Sequence, residues 1–204
     1  MKINTNNWNK IRYTLYTPGY DLIGRLLNES RKKSIDSLEL KSNDKVLIVG
    51  AGTGLDLEFI SVDCDITATD ITPSMIKKLR SRNSIFKRRV RSLVMDGQSL
   101  DFSDNSFDYV ILHLILAVIP DPSKCLQEVE RVLKKGGQVA VYDKFVGRGM
   151  KVSKIRKSAN LLTNFLVSDI TRDFESILES TELQLISDQK ADFDGIFRLI
   201  KLEK

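Results

Sequence analysis

Residues 46 to 54 read Val-Leu-Ile-Val-Gly-Ala-Gly-Thr-Gly, an aliphatic run that passes without a break into glycines at every second position. Such a run suits a strand buried on both faces of a parallel sheet. The glycines let the backbone turn sharply and come close to a ligand at a helix N-terminus. Asp70 and Asp96 close the next two hydrophobic segments. A carboxylate at the end of the second strand accepts two hydrogen bonds from a ribose diol, and nucleotide sites of this type place it roughly 20 residues beyond the glycines. Asp70 meets that spacing.

The order of parts narrows the ligand. Val-Arg-Ser-Leu-Val-Met-Asp-Gly at 90 to 97 reads as a third strand and Phe-Asp-Tyr-Val-Ile-Leu-His at 107 to 113 as a fourth. A NAD-binding fold shows G-x-G-x-x-G and brings a substrate domain. This chain has G-x-G-x-G and no such domain, which points to an adenosyl cofactor.

The chain resembles a class I S-adenosylmethionine-dependent methyltransferase, of the group similar to ubiquinone/menaquinone C-methyltransferases and bacterial phosphatidylethanolamine N-methyltransferases. The resemblance covers about residues 13 to 145. Its carriers are Tyr-Thr-Pro-Gly-Tyr-Asp at 16 to 21, the glycine turn, Thr-Asp-Ile-Thr-Pro-Ser-Met at 69 to 75, Met-Asp-Gly at 95 to 97, Ser-Phe-Asp-Tyr-Val at 106 to 110 and Val-Leu-Lys-Lys-Gly-Gly at 132 to 137. It implies an α/β fold: a Rossmann-like seven-stranded sheet of order 3-2-1-4-5-7-6, last strand antiparallel, with helices on both faces. It also implies S-adenosylmethionine as cofactor and S-adenosylhomocysteine as product. Gly50, Ala51 and Gly52 would approach the methionine moiety, Asp70 the ribose hydroxyls, Ile71 and Met75 the adenine, and Asp96 with Gly97 the adenine amino group. Tyr16 and Tyr20 match the family's Tyr-Asp segment, where Tyr20 would wall the cofactor or anchor the cover by packing. One departure stands out. The family usually carries Asp or Glu two residues before the first glycine, and this chain has Ile48.

Along the chain, 6 to 16 reads as a short amphipathic segment and Asp21 to Leu38 as a helix with Leu22, Ile23, Leu26 and Leu27 on one face. Residues 1–40 would form an N-terminal helical cover of a single domain spanning 1–204. Strands are expected at 45–49, 65–69, 90–95, 107–113 and 138–142. Helices are expected from Leu55, from Thr72-Pro73, over 122–134 with Gly136-Gly137 as its stop, over 150–166 and over 169–180. Leu183 to Ser187 and Gly195 to Leu202 alternate as a hairpin.

The chain has 204 residues, of which 42% are hydrophobic, enough for one sizeable core. Its N-terminus lacks the apolar centre of a signal peptide, and the apolar stretch at 109 to 119 is too short to span a bilayer, so a cytoplasmic protein is expected. Cys64 and Cys125 with a single histidine make neither a disulfide framework nor a zinc site and read as small buried hydrophobes.

The net charge is +5, and two basic clusters contribute. Lys77, Lys78, Arg80, Arg82, Lys87, Arg88, Arg89 and Arg91 fall at the sheet edge away from the ligand and read as a solvated face. Lys144, Arg148, Lys151, Lys154, Arg156 and Lys157 follow the fifth strand at its carboxyl end, on the rim of the site. An anionic substrate or peripheral contact with an anionic membrane would suit them.

Methyl transfer is an in-line attack on a carbon held by a sulfonium, so the cofactor carries the hard chemistry. The protein mainly holds acceptor and methyl together in a dry site, a positioning effect worth about 7 to 11 kcal/mol in favourable cases. His113, at the carboxyl end of the fourth strand, reads either as a general base or as a satisfied core residue or cofactor backbone contact. The expected acceptor is a small molecule or lipid. A nucleic-acid acceptor is the weaker alternative, since the fourth strand leads into His-Leu-Ile-Leu rather than Asn/Asp-Pro-Pro-Tyr. A cofactor-binding protein without turnover is the other. Oligomeric state is left open by the sequence.

Overall fold

The computed structural model describes residues 4–86, 90–146 and 168–204. The expected helix over 150–166 lies outside them, as do Lys87 to Arg89 and every member of the second basic cluster except Lys144. Seven strands form one sheet: β1 (Lys45–Val49), β2 (Asp65–Asp70), β3 (Val90–Val94), β4 (Phe107–His113), β5 (Leu133–Lys144), β6 (Gln184–Lys190) and β7 (Phe197–Glu203). Their order is β3-β2-β1-β4-β5-β7-β6. The β1 to β5 pairings are parallel, while β7 runs antiparallel to both β5 and β6. The expected sheet is the one observed.

Alternation along the central strands splits the core in two. Leu47 and Val49, Val110 and Leu112, and Val139 and Val141 face one side, where helix α5 (Pro122–Val132) supplies Leu126 and Val129. Val46 and Ile48, Ile111 and Ala140 face the other, under Ile35 and Leu38. All of these side chains are buried. At about 25 cal/mol per Å² of apolar area, fully burying one such side chain contributes about 1.5–3 kcal/mol, which makes the doubly covered strands the stable centre of the domain.

Four expected helices take different forms. The stretch from 21 to 38 breaks into α2 (Tyr20–Gly24), a 3-10 turn (Arg25–Leu27) and α3 (Asn28–Asp36), preceded by α1 (Asn6–Tyr16). Gly24 passes so close to Leu55 that a Cβ there would lie 2.5 Å from its Cδ1. Gly24 itself keeps helical backbone, and the helix breaks at Leu27, whose φ of −104° and ψ of 12° leave the helical region, while Leu22 and Leu26 end up exposed instead of sharing a buried face. After the glycines only a 3-10 turn forms, Leu55–Phe59, because the short connection to β2 leaves no room for a long helix. Helix α5 stops at Val132, since Leu133 is already extended and paired with Phe107. Gly136 and Gly137 instead absorb an irregularity inside β5, with Gly136 at φ +71°. The second late helix shrinks to α6 (Phe174–Leu178).

Helix α4 (Pro73–Phe86) starts at the proline, as expected. Its cations are largely engaged: Lys78 and Arg82 meet Asp21 at 3.0 and 2.6 Å, Arg82 also holds Glu58, and Arg80 donates to the Ser92 carbonyl. That part of the basic cluster ties α4 to the N-terminal cover and to β3. Cys64 and Cys125 are buried without a disulfide, and burial pushes the Cys125 thiol up to about 12.

Candidate active site

The carboxyl ends of β1, β2, β3 and β4 converge on one cleft, covered by α1. It is lined by Gly50, Gly52, Asp70, Ile71, Met75, Asp96 and Gly97, and by Tyr20 from α2. These are eight of the ten residues expected to hold the cofactor. Sequence reasoning missed Asn6, Asn9 and Tyr13 of α1 and Leu114, Ile115 and Val118 beyond β4, which line it as well.

Gly50 and Gly52 have φ of +71° and +54°, the left-handed region that favours glycine. A Cβ on Gly50 would lie 2.7 Å from Ile115, and one on Gly97 2.8 Å from Val49, so both positions are cradles that only glycine fits. Ala51 turns the other way: its side chain is buried in the apolar layer under α3, and its N–H donates to the Thr69 carbonyl at 2.8 Å. It is not part of the cleft wall.

Asp70 is half-buried, and its two oxygens accept from Gly52 N–H at 2.9 Å and Thr72 N–H at 2.7 Å. Burial raises its pKa, and those two backbone donors oppose the rise. A carboxylate offers about four lone-pair sites, so Asp70 keeps acceptor capacity for a diol. Burial likewise raises the Tyr20 hydroxyl, with Asp70 and Asp56 adding and Arg31 opposing, so Tyr20 is a neutral phenol. The glycine cradles, the half-buried Asp70 carboxylate and the wall of Ile71 and Met75 together fit an adenosyl cofactor.

His113 lies elsewhere. Its Nδ1 meets Asp56 Oδ1 at 2.8 Å, its Nε2 meets Ser34 Oγ at 3.0 Å, and its side chain is fully buried. Arg31 Nη1 donates to the same Asp56 oxygen at 2.7 Å. Burial alone would raise the Asp56 carboxyl, but Arg31 and His113 outweigh it and hold it far below the usual range. With both ring nitrogens taken and no place in the cleft wall, His113 has the setting of a satisfied core residue rather than of a base.

Ile48 is buried one layer below this cluster, since it pairs in register with Ile111 and His113 follows two residues later on the same face. The glycine turn therefore does have a buried carboxylate near it, but from Asp56 on the following turn rather than from position 48.

Beyond β4, Leu114 has φ +59°, unusual for a residue with a Cβ, and it lines the cleft. On β5, Asp143 is buried and accepts from Ala117 N–H at 2.9 Å. Burial lowers the Lys144 amine, Asp143 opposes and Arg12 adds; the ammonium lies 5.6 Å over the Phe197 ring. Lys144 is thus a packed side chain and not a free cation of a basic rim.

A sheet of this order, with a glycine turn after β1 facing a carboxylate at the end of β2, belongs to a fold that this chain shares with solved methyltransferases. Residues 47–141 match the family described as a methyltransferase domain. Phosphatidylethanolamine N-methyltransferase of Cereibacter sphaeroides is 25% identical over 188 residues, covering 91% of this chain and 92% of the relative. Demethylmenaquinone methyltransferase of Paenarthrobacter aurescens is 31% identical over 133 residues, 61% of this chain; the chain spans only 50% of that relative. Geranyl diphosphate C-methyltransferase from Streptomyces coelicolor, solved with Mg2+, geranyl diphosphate and S-adenosyl-L-homocysteine, shares the fold with a TM-score of 0.73 at 15% identity, covering 88% of this chain and 81% of that one. No helix among the described residues is long and apolar enough to cross a membrane.

Proposed function

We propose that this chain transfers the methyl group of S-adenosylmethionine to a small-molecule or lipid acceptor. The carrying observation is Asp70, a half-buried carboxylate that lines the cleft and is locked to the glycine turn through Gly52 N–H. When bound, the cofactor supplies an activated methyl on a sulfonium. Gly50 and Gly52 give it a close backbone seat, Asp70 receives the ribose hydroxyls, and Ile71 and Met75 pack on the base. Asp96 and Gly97 bound the adenine end. Tyr13, Tyr20, Leu114 and Ile115 keep water from the reacting end and hold the acceptor at attack distance, where positioning does most of the work. No base from His113 is needed for an acceptor that arrives deprotonated.

A lipid acceptor is favoured by the surface of the N-terminal cover. Ile11, Leu15, Leu22 and Leu26 stand 55 to 80% exposed, paired at i and i+4 along successive helical segments. Peripheral contact with an anionic membrane through this cover accords with the net charge of +5. The deciding experiment is transfer of labelled methyl to a cell extract fractionated into lipid, small-molecule, RNA and protein pools. Label in the lipid or small-molecule pool supports the reading, label in RNA replaces it with a nucleic-acid acceptor, and cofactor binding without transfer marks a protein that has no turnover. Liposome sedimentation that ignores lipid charge and salt would dismiss the membrane contact.

A further inference from the structure

The adenine end of the cleft is already in use. Asn6, the first residue of α1, donates from Nδ2 to Asp96 Oδ2 at 2.5 Å. Gln98 donates from Nε2 to Asn6 Oδ1 at 3.2 Å. Gln98 also donates to Asp96: from its backbone N–H to Oδ1 at 3.0 Å, and from Nε2 to Oδ1 and Oδ2 at 3.0 and 3.3 Å. Asn6 and Gln98 together supply three N–H donors to the about four lone-pair sites of the Asp96 carboxylate, because one Gln98 Nε2 hydrogen goes to Asn6 Oδ1 and the other is shared between the two Asp96 oxygens.

The Asn6 carboxamide presents a donor N–H and an acceptor oxygen side by side on a planar group. The Watson–Crick edge of adenine presents the same pair, its 6-amino group beside N1. Asp96 and Gln98 answer both members of the pair on Asn6. The segment is also pinned around this point: Asn4 Nδ2 and Asn9 Nδ2 donate to the Val118 carbonyl at 2.7 and 3.2 Å, Asn9 Nδ2 donates to Asn4 Oδ1 at 3.0 Å, and the Thr5 hydroxyl caps α1 through Trp8 N–H. Asn6 and Asn9 both line the cleft.

We infer that Asn6 is an internal stand-in for the adenine edge, a latch that holds α1 over the cleft until the cofactor's adenine evicts it from Asp96. This rests on the methyltransferase reading and on Asp96 as the adenine acceptor. The contact is autoinhibitory: a ligand lacking the 6-amino group gains nothing from Asp96 and leaves the latch shut, whereas an adenosyl ligand exchanges one N–H donor for another. Because the exchange is nearly even in hydrogen bonds, occupancy of the site and release of α1 are linked. The start of α1 is then free to reseat with its exposed apolar side chains.

The test is titration of S-adenosylhomocysteine into the full chain and its Asn6→Ala and Asn6→Asp variants, with hydrogen exchange over residues 4–12. Removing the competitor is expected to tighten binding about fivefold or more in Asn6→Ala; Asn6→Asp, which sets two carboxylates against each other, should tighten it as well. In the wild-type chain, ligand should speed exchange at the start of α1. Equal or weaker binding by the folded variants, or added protection of residues 4–12 on binding, overturns the latch alone. Absence of binding by all three folded proteins overturns the methyltransferase reading and the latch with it.

Discussion

Asp56 and His113, 57 positions apart, meet at 2.8 Å in a cluster closed to solvent, and the same carboxylate oxygen is claimed by Arg31. The three side chains join the turn after the glycines, the end of β4 and helix α3. Removing one partner of a buried pair leaves the other uncompensated, which costs about 3–5 kcal/mol. Asp56→Asn should therefore lower the unfolding free energy by about that amount at pH 7. The folded carboxyl is held below its unfolded value near 3.9, so this stabilisation is present above that pH and fades as pH falls through it. Urea unfolding from pH 7 to pH 3 should show the wild-type advantage shrinking below about pH 4; a gap independent of pH would mean that the charge contributes nothing.

His113→Gln separates structure from chemistry. We expect a loss of about 2–4 kcal/mol in stability from the disturbed partners Asp56 and Ser34, with S-adenosylhomocysteine affinity changed less than about threefold. A stable variant that still binds S-adenosylhomocysteine but whose methyl transfer collapses would restore the base role.

Asp70→Asn tests the ribose contact without emptying the space. Hydrogen bonds to a charged group are worth about 1.5–3 kcal/mol, so the dissociation constant for S-adenosylhomocysteine should rise about 10- to 100-fold. Because burial raises this carboxyl, wild-type affinity should fall on acidification at a pH above the ordinary aspartate range. Calorimetry across pH reads both effects.

Two glycines with the same φ of +71° give a matched comparison. Around Gly136 a Cβ meets nothing within 4 Å, so alanine there should cost about 1–2 kcal/mol, from backbone strain alone. At Gly50 the added Cβ collides with Ile115, and overpacking adds about 1–3 kcal/mol more. Equal costs in denaturant unfolding would show that the cradle yields freely.

Leu114 offers the opposite sign. Its left-handed backbone is strained by about 1–2 kcal/mol, so Leu114→Gly should be nearly neutral in stability, as relief offsets lost burial. The fully buried neighbour Leu116 has no such compensation, and Leu116→Ala should cost about 2–5 kcal/mol. Unfolding midpoints of the two variants decide it.

The residues that line the cleft were legible because many of them sit at strand ends in a row. Asp70 and Asp96 follow the glycine turn at spacings that parallel strands impose. The sheet order came by resemblance, and the strand bounds came from apolar alternation. Asn6 was invisible, since its partner lies 90 residues away and the four asparagines between residues 4 and 9 carry no periodic signal. The broken helix from 20 to 36 was missed because no local pattern marks the departure of Leu27 from helical backbone. The sequence left His113 between a base and a satisfied core residue for a related reason: its partners Asp56 and Ser34 come from segments whose placement no local pattern reveals.

The antiparallel pairing of β5 with β7 bears on how the chain is made. Residues 133–144 can join β4 as soon as they are synthesised, but their other edge waits for residues 197–203, made more than fifty positions later. Until then strand β5 presents unpaired N–H and C=O groups, a template for sticking to other chains. Synthesis that stalls before residue 197 would leave that edge open, so the arrival of β7 decides whether the nascent sheet stays closed to such pairing.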